Sequence, residues 1–327
     1  MITLVTGATG HLGANLVRAL LEKGEKVRAL VRQPKNKELE GLDVELAIGD
    51  ITDSESLKKA VKGCERVFHL AAFVSIRSGD RPKLYDINVL GTRKIMQVCR
   101  EAGVKKVVHC SSLGAVGINP NGASTEEWSV SPYEETTDYE ISKTFAELEV
   151  YKEIAKGLPA TIVCPSGIVG PYDFKPSLLG NTILEFAQGK MRGYIEGGFD
   201  FVPMRDVVQG ALLAMEKGKV GERYLLTGEE LTIEQTLIYL EELTGVKRPK
   251  LKIPIGLMQN IAVVKDWILR KFFPNVIPRF NYHSIRLLRS GKHGDNSKAV
   301  EELGLQPTPV KEAYREAVEW FRENNQI

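Results

Sequence analysis

A chain of 327 residues is too long for one minimal domain and long enough for two lobes around a shared core. Its 43% apolar and 26% charged side chains are ordinary for a globular protein. With 44 basic against 42 acidic residues the net charge is +2, so composition gives no support to nucleic-acid binding.

Cys64, Cys99, Cys110 and Cys164 form no Cys-x-x-Cys pair and read as buried free thiols in a reducing compartment. No basic segment leads into an apolar core and cleavage site, and no apolar run reaches spanning length. A cytoplasmic protein without stable membrane insertion is expected.

Ile2-Thr-Leu-Val-Thr-Gly7-Ala-Thr-Gly10-His-Leu-Gly13 reads as strand, tight turn and helix start, with Leu16, Leu20 and Leu21 at helical spacing up to Lys23. The glycines allow the turn, the approach of a pyrophosphate and close packing of helix on strand. Amides at the helix start favour phosphate. A Gly-rich turn without ligand is the bland alternative.

Lys26–Val31, Val44–Ile48, Arg66–Ala72, Val107–Ser112 and Ala160–Cys164 are further strands. Helices are expected over Ser54–Val61, capped by Asp53 or Ser54, then Leu84–Ala102 and Tyr139–Lys156. This alternation predicts an α/β fold, a doubly wound parallel sheet with right-handed crossovers. Beyond Pro171 the rhythm breaks. Val202–Lys217 reads as helix after a short extended piece, Glu222–Thr227 as a return to the sheet, and Pro176–Tyr194 as mixed helix and loop. Thr232–Thr244, Gly256–Phe273, Ser297–Leu303 and Val310–Asn324 read as helices. The expected division is a dinucleotide domain of residues 1–172 with 201–227, and a mostly helical substrate lobe of 173–200 and 228–327 over the carboxyl ends of the strands, where such sheets bind ligands.

Arg32 stands at the end of the second strand, where an acid would bind the ribose hydroxyls of NAD and Arg accommodates the 2′-phosphate of NADP. Lys35 and Lys37 follow. Tyr139 and Lys143, four apart on a helix, share one face, and a fixed ammonium favours phenolate. Such a tyrosine moves a proton to or from a carbonyl or hydroxyl oxygen. Ser111 and Ser112 end the fifth strand at the ligand edge. His69 and His109 lie inside strands and read as core. Tyr133 lacks a lysine four residues on. Trp128, Tyr133 and Phe73 read as packing. Gly256–Phe273, with Trp267, Phe272 and Phe273 beside Lys265, Arg270 and Lys271, reads as core or lid rather than membrane surface.

Taken together, these motifs resemble the short-chain dehydrogenase/reductase superfamily in its extended branch of nucleotide-sugar epimerases, dehydratases and dihydroflavonol-reductase-like enzymes. The resemblance rests on Thr6–Gly13, Gly49-Asp50-Ile51, Phe68–Ala72, Asn88–Thr92, Ser111-Ser112, Tyr139-x-x-x-Lys143, Pro165–Pro171 and Val202–Val208. It implies that Gly7, Thr9, Gly10, His11 and Leu12 cradle the pyrophosphate, Asp50 and Ile51 border the adenine, and Leu70, Ala71 and Ala72 wall the ribose channel. Tyr139 would exchange the proton, Lys143 would bind the nicotinamide ribose and lower the tyrosine pKa, and Ser112 would orient the substrate oxygen. Pro165 and Ile168 would pack beside the nicotinamide. Asn88 would fix strand–helix geometry or join a proton relay. A homodimer through the helices of Leu84–Ala102 and Tyr139–Lys156 is also implied.

Cys164 stands where many sugar-nucleotide enzymes carry Arg, and Leu113-Gly114 where dehydratases carry acids, which argues against 4,6-dehydration. Three readings remain: an oxidoreductase taking NADP (or NAD) and a carbonyl or alcohol substrate, a sugar epimerase similar to the hopanoid-associated group, and a non-catalytic dinucleotide sensor.

Overall fold

In the computed structural model, residues 1–75, 77, 79–130, 137–256 and 291–327 are described. Seven parallel strands form the central sheet: β1 (Ile2–Thr6), β2 (Lys26–Val31), β3 (Glu45–Ile48), β4 (Arg66–His69), β5 (Lys106–Cys110), β6 (Ala160–Pro165) and β10 (Arg223–Leu226). Their order is β10-β6-β5-β4-β1-β2-β3. The chain winds outward one way from β1 through β2 and β3, and the other way through β4, β5 and β6. The crevice between β1 and β4 is therefore the topological switch point where ligands bind in such sheets.

The α/β fold expected from the alternation is what forms. Leu4, Val67, Val107 and Ile162 face one side, where they pack with α2 (Ser54–Val61), α4 (Gly91–Glu101) and α5 (Asp138–Ile154). Val5, Phe68, Val108 and Val163 face the other, against α1 (His11–Glu22) and α7 (Met204–Lys217). Period-2 strands buried on both faces explain the near-continuous apolar runs. The helix before α4 is less regular than its leucine pattern suggests: α3 (Arg81–Leu84) runs through a π-helical stretch, Tyr85–Leu90, into α4.

Beyond β7 (Gly167–Val169) come α6 (Leu178–Ala187), β8 (Gly193–Ile195), β9 (Gly198–Pro203), β11 (Glu229–Thr232), α8 (Ile233–Thr244), β12 (Leu251–Ile253) and α9 (Val310–Glu323). Two small sheets, β11-β9-β7 and β12-β8, stand among these helices; of their strands the sequence pattern showed only a short extended piece before the helix at Val202, where β9 lies. A separate aromatic core of Phe186, Phe201, Tyr314 and Phe321 holds this region together. Asp200 pins it to the sheet: its carboxylate accepts from the amides of Gly228 and Gly294, both at 3.1 Å. The segment carrying Gly294 also pairs with Ser124, the Ser124 amide bonding the His293 carbonyl at 2.9 Å. No helix among the described residues is long and apolar enough to cross a membrane. Tyr133 and nearly all of Gly256–Phe273 lie outside the described residues.

Candidate active site

The turn after β1 shows why glycine is required there. Gly7 has φ +73°, and a Cβ on it would come within 2.7 Å of the Ala71 amide nitrogen. A Cβ on Gly13 would sit 2.1 Å from the Gly7 carbonyl oxygen, so only glycine lets α1 pack this tightly on the turn. Gly10 caps α1, no side chain satisfies the helix's first amides, and no acid stands in its first turn. That is a cradle suited to a dinucleotide's phosphates. The His11 imidazole points elsewhere: Nε2 lies 3.2 Å from the Gly170 carbonyl oxygen and 3.1 Å from that of Pro171. Only its backbone is left to face a phosphate.

The other expected cofactor residues lie along the same sheet edge. Arg32 follows β2 and is exposed. Asp50 and Ile51 follow β3, and Leu70, Ala71 and Ala72 follow β4. Pro165 ends β6 and Ile168 lies in β7. Burial pushes the Asp50 carboxyl up, but hydrogen bonds from Thr52 and the charges of Arg32 and Lys94 outweigh it and hold it below the usual range. Arg32 therefore has an acidic neighbour one strand over.

Thr137 and Glu140 form a capping box that starts α5, and this fixes where Tyr139 enters the site. From there three successive residues at the end of β5 meet three successive turns of α5. The Cys110 carbonyl accepts from Lys143 Nζ at 2.7 Å. Ser111 Oγ donates to Glu147 Oε1. The Ser112 hydroxyl lies beside the Tyr139 phenol and draws its pKa down, while accepting from the Gly114 amide at 3.1 Å. Residues 139, 143 and 147 are one helical turn apart, so a single face carries phenol, ammonium and carboxylate.

The electrostatics differ from the simple expectation of an acidic phenol. Burial pushes the Tyr139 phenol above its ordinary value, against the pull of Ser112, and the Lys143 charge is not among the groups that set it. Lys143 is engaged by the Cys110 carbonyl instead. Burial lowers its own pKa, while Cys110, Glu147 and Cys164 raise it.

Asn88 is a clamp. Its Oδ1 accepts from the Phe73 amide at 2.7 Å, and its Nδ2 donates to the Phe73 carbonyl at 3.0 Å and to Ser142 Oγ at 2.9 Å. The loop after β4 is thereby tied to α5. Glu147 and Arg223 are polar partners that the sequence reading missed; they meet at 3.2 Å. Spacing of eight from Tyr139 was the available signal for Glu147.

Below the site, His69 and His109 stack at 5.1 Å between ring centroids. Thr92 Oγ1 donates to the Asn88 carbonyl, so it accepts from His69 Nε2, and Thr6 donates to Nδ1. His69 is thus a neutral Nε2–H tautomer. Both nitrogens of His109 lack a partner among the described residues.

The model of the NAD dependent epimerase/dehydratase family matches residues 3–226. "Sterol demethylase protein B" of Methylococcus capsulatus is 61% identical over 328 residues, covering 100% of both chains. A Synechocystis sp. protein provisionally named dihydroflavonol 4-reductase is 37% identical, over 99% of this chain and 95% of its own. "Sterol-4-alpha-carboxylate 3-dehydrogenase, decarboxylating" of Mus musculus is 28% identical, over 97% and 90%. The crystal structure of gox2253 superimposes with a TM-score of 0.87 at 38% identity, covering 100% and 99%.

Burial holds the His69 pKa down to about 3, with the Lys143 charge adding to the effect. The unfolded chain binds this proton near pH 6.5, so stability is full above that value and falls as pH drops from there toward 3. From His69 alone the loss at pH 5 is about 2 kcal/mol. Urea midpoints at pH 7 and pH 5 should diverge by less in His69→Gln than in the parent; equal divergence would show that His69 titrates normally.

Proposed function

The chain belongs to the NAD dependent epimerase/dehydratase family, and from that premise we propose that it is an NADP-preferring dehydrogenase acting on a secondary alcohol of a sterol-like skeleton. It is an enzyme of the extended short-chain dehydrogenase/reductase type. The observation that carries the proposed reaction is the meeting of the Ser112 hydroxyl with the Tyr139 phenol at the end of β5, above a buried Lys143.

When bound, the cofactor supplies a hydride acceptor. Gly7, Thr9, Gly10 and the backbone of His11 and Leu12 hold its phosphates in this reading, and Arg32 meets the 2′-phosphate. Asp50, Ile51, Leu70, Ala71 and Ala72 border its adenosine side, with Pro165 and Ile168 beside the ring. Ser112 holds the substrate oxygen. Once the site fills, Tyr139 gives its own proton to solvent and Lys143 stabilises the phenolate; the alcohol carbon then gives up its hydrogen as hydride while its O–H proton passes to that phenolate. Burial raises the phenol's pKa in the free protein, so the ammonium has to approach the phenol when the site fills.

The substrate class is supported by the full-length likeness to a protein named for sterol demethylation and by a second relative named for oxidising a sterol 4α-carboxylate. Oxidation beside a carboxylate yields a β-keto acid. Its C–C bond breaks with loss of CO2, the electron pair moves to the ketone oxygen, and Tyr139 returns the proton there. A second reading, reduction of a dihydroflavonol-type ketone by the same three residues, is favoured by the 37% identical relative. An epimerase would show no net redox turnover.

The outer face of α5 supports a homodimer. Phe145 and Leu148 are 42% and 57% exposed while Lys143 and Glu147 face inward, and Tyr85 nearby is 42% exposed. The division into cofactor and substrate lobes and the cytoplasmic setting stay part of this proposal.

With NADP and a 3-hydroxysterol 4-carboxylic acid, NADPH and CO2 should form together, and Tyr139→Phe should lower kcat by about 10²–10⁴-fold; formation of neither would end the sterol reading. Arg32→Asp should move the kcat/KM ratio from NADP toward NAD by at least about tenfold, and an unchanged ratio would remove Arg32 from cofactor choice. By sedimentation the protein should be a dimer and Leu148→Lys a monomer; a monomeric parent would refute that interface.

A further inference from the structure

The reaction as proposed uses Ser112, Tyr139 and Lys143 and leaves their neighbour Glu147 without a role. Glu147 is 4% exposed, on the buried face of α5 one turn beyond Lys143. A carboxylate placed there has to be paired and hydrogen-bonded. Ser111 donates to one oxygen, to which the Cys164 thiol also points at 3.7 Å. Arg223, from β10, donates to the other at 3.2 Å. Arg223 is fixed in turn by the carbonyls of Glu126 and Trp128.

We propose that Glu147 is a positioning residue for this reaction: clamped by Ser111 and Arg223, its carboxylate is the interior counter-charge that keeps Lys143 an ammonium and sets the axial register of α5 on the end of β5. The assignment rests on the roles proposed above for Tyr139 and Lys143. Lys143 and Glu147 lie one helical turn apart on the same buried face of α5, without a direct ion pair, so the carboxylate acts on the ammonium through a dry interior rather than by contact. Lys143 has no water-exposed path for its charge, being 2% exposed, and its hydrogen bond to the Cys110 carbonyl carries no net charge. The ionisable groups around it are His69 on β4, His109 and Cys110 on β5, Cys164 on β6, and Tyr139 and Glu147 on its own helix. Both histidines are neutral, the half-buried Cys110 thiol and the buried Cys164 thiol are protonated, and so is the phenol in the resting protein. Glu147 is the acid that remains: burial pushes its carboxyl up, and Arg223, Ser111 and Lys143 are the groups that pull it back toward the charged form. The neighbouring Tyr151 and Arg223 belong to its own surroundings.

The test reads Lys143 directly, without substrate. The holoprotein is labelled at lysine Cε and Nζ, the Lys143 signal is assigned by its loss in Lys143→Met, and its midpoint is followed by NMR from about pH 6 to 11. Glu147→Gln keeps the shape and an acceptor for Ser111 but deletes the charge, and should lower the midpoint by about one to two pH units. The alkaline limb of kcat/KM should move with it. Glu147→Asp, which retains the charge, should restore most of the shift. Ser111→Ala keeps both charges and should leave the midpoint in place. If the charge deletion leaves Arg223 unpaired and the chain does not fold, Glu147→Gln/Arg223→Gln removes both charges and should show a smaller downward shift, because loss of the more distant guanidinium only partly offsets loss of the carboxylate.

An unmoved midpoint in either charge-deleted protein overturns the proposal, as does a shift in Ser111→Ala as large as that in Glu147→Gln. Absence of any redox turnover with these proteins would refute the proposed reaction while leaving the NMR result intact.

Discussion

A lysine ammonium placed where water does not reach has to be held by the protein alone, and much of this fold is arranged around that requirement. Burial disfavours the charged form, and the compensating groups have to come from several elements at once. Here a carbonyl comes from β5 and a carboxylate from α5, with a guanidinium from β10 balancing the carboxylate. Each contributor depends on the register of a different pair of elements. A polar network of this kind specifies one arrangement, because any slip leaves a charge unmatched in a low-dielectric interior.

The sheet supplies the rigidity that such matching needs. Its parallel strands deliver the glycine turn, Leu70 to Ala72, the serines and Pro165 to one edge, and the switch point opens the crevice between β1 and β4. The stacked histidines beneath are locked rather than labile, at least at His69, whose tautomer is dictated by Thr6 and Thr92. The far region is fastened at that same edge through Asp200, Thr227 and Gly294, and Lys292 donates to the carbonyls of Gly114 and Val116 just past Ser112.

How far this was legible depends on the range over which the cause acts. Strands β1, β2 and β6 announce themselves as apolar runs, and the Gly7 and Gly13 requirements follow from local sterics, so both could be read in order along the chain. Strands β8, β11 and β12 are three or four residues long and carry too little alternation to separate from loop. The inner face of α5 was opaque for a different reason. It buries Lys143 and Glu147 and exposes Phe145 and Leu148, the reverse of an ordinary amphipathic helix. Glu147 alone reads as a solvated surface acid, because Ser111 and Arg223 lie 36 and 76 positions away and nothing in the spacing connects them. The expectation of a lowered tyrosine pKa likewise came from helical spacing, which says nothing about the Cys110 carbonyl that engages the ammonium.

The edge strand β10 has a consequence for how the molecule is made. Ribosomes deliver residues in order, and every other strand of the main sheet is complete by Pro165. The guanidinium that answers the buried Glu147 carboxylate emerges almost sixty residues later, on the far side of β8, β9 and α7. A nascent chain halted before Arg223 would carry a nearly finished sheet in which the Glu147 carboxylate lacks its hydrogen-bonded guanidinium partner. Assembly of the chemical centre is thereby made conditional on synthesis reaching the second half of the polypeptide.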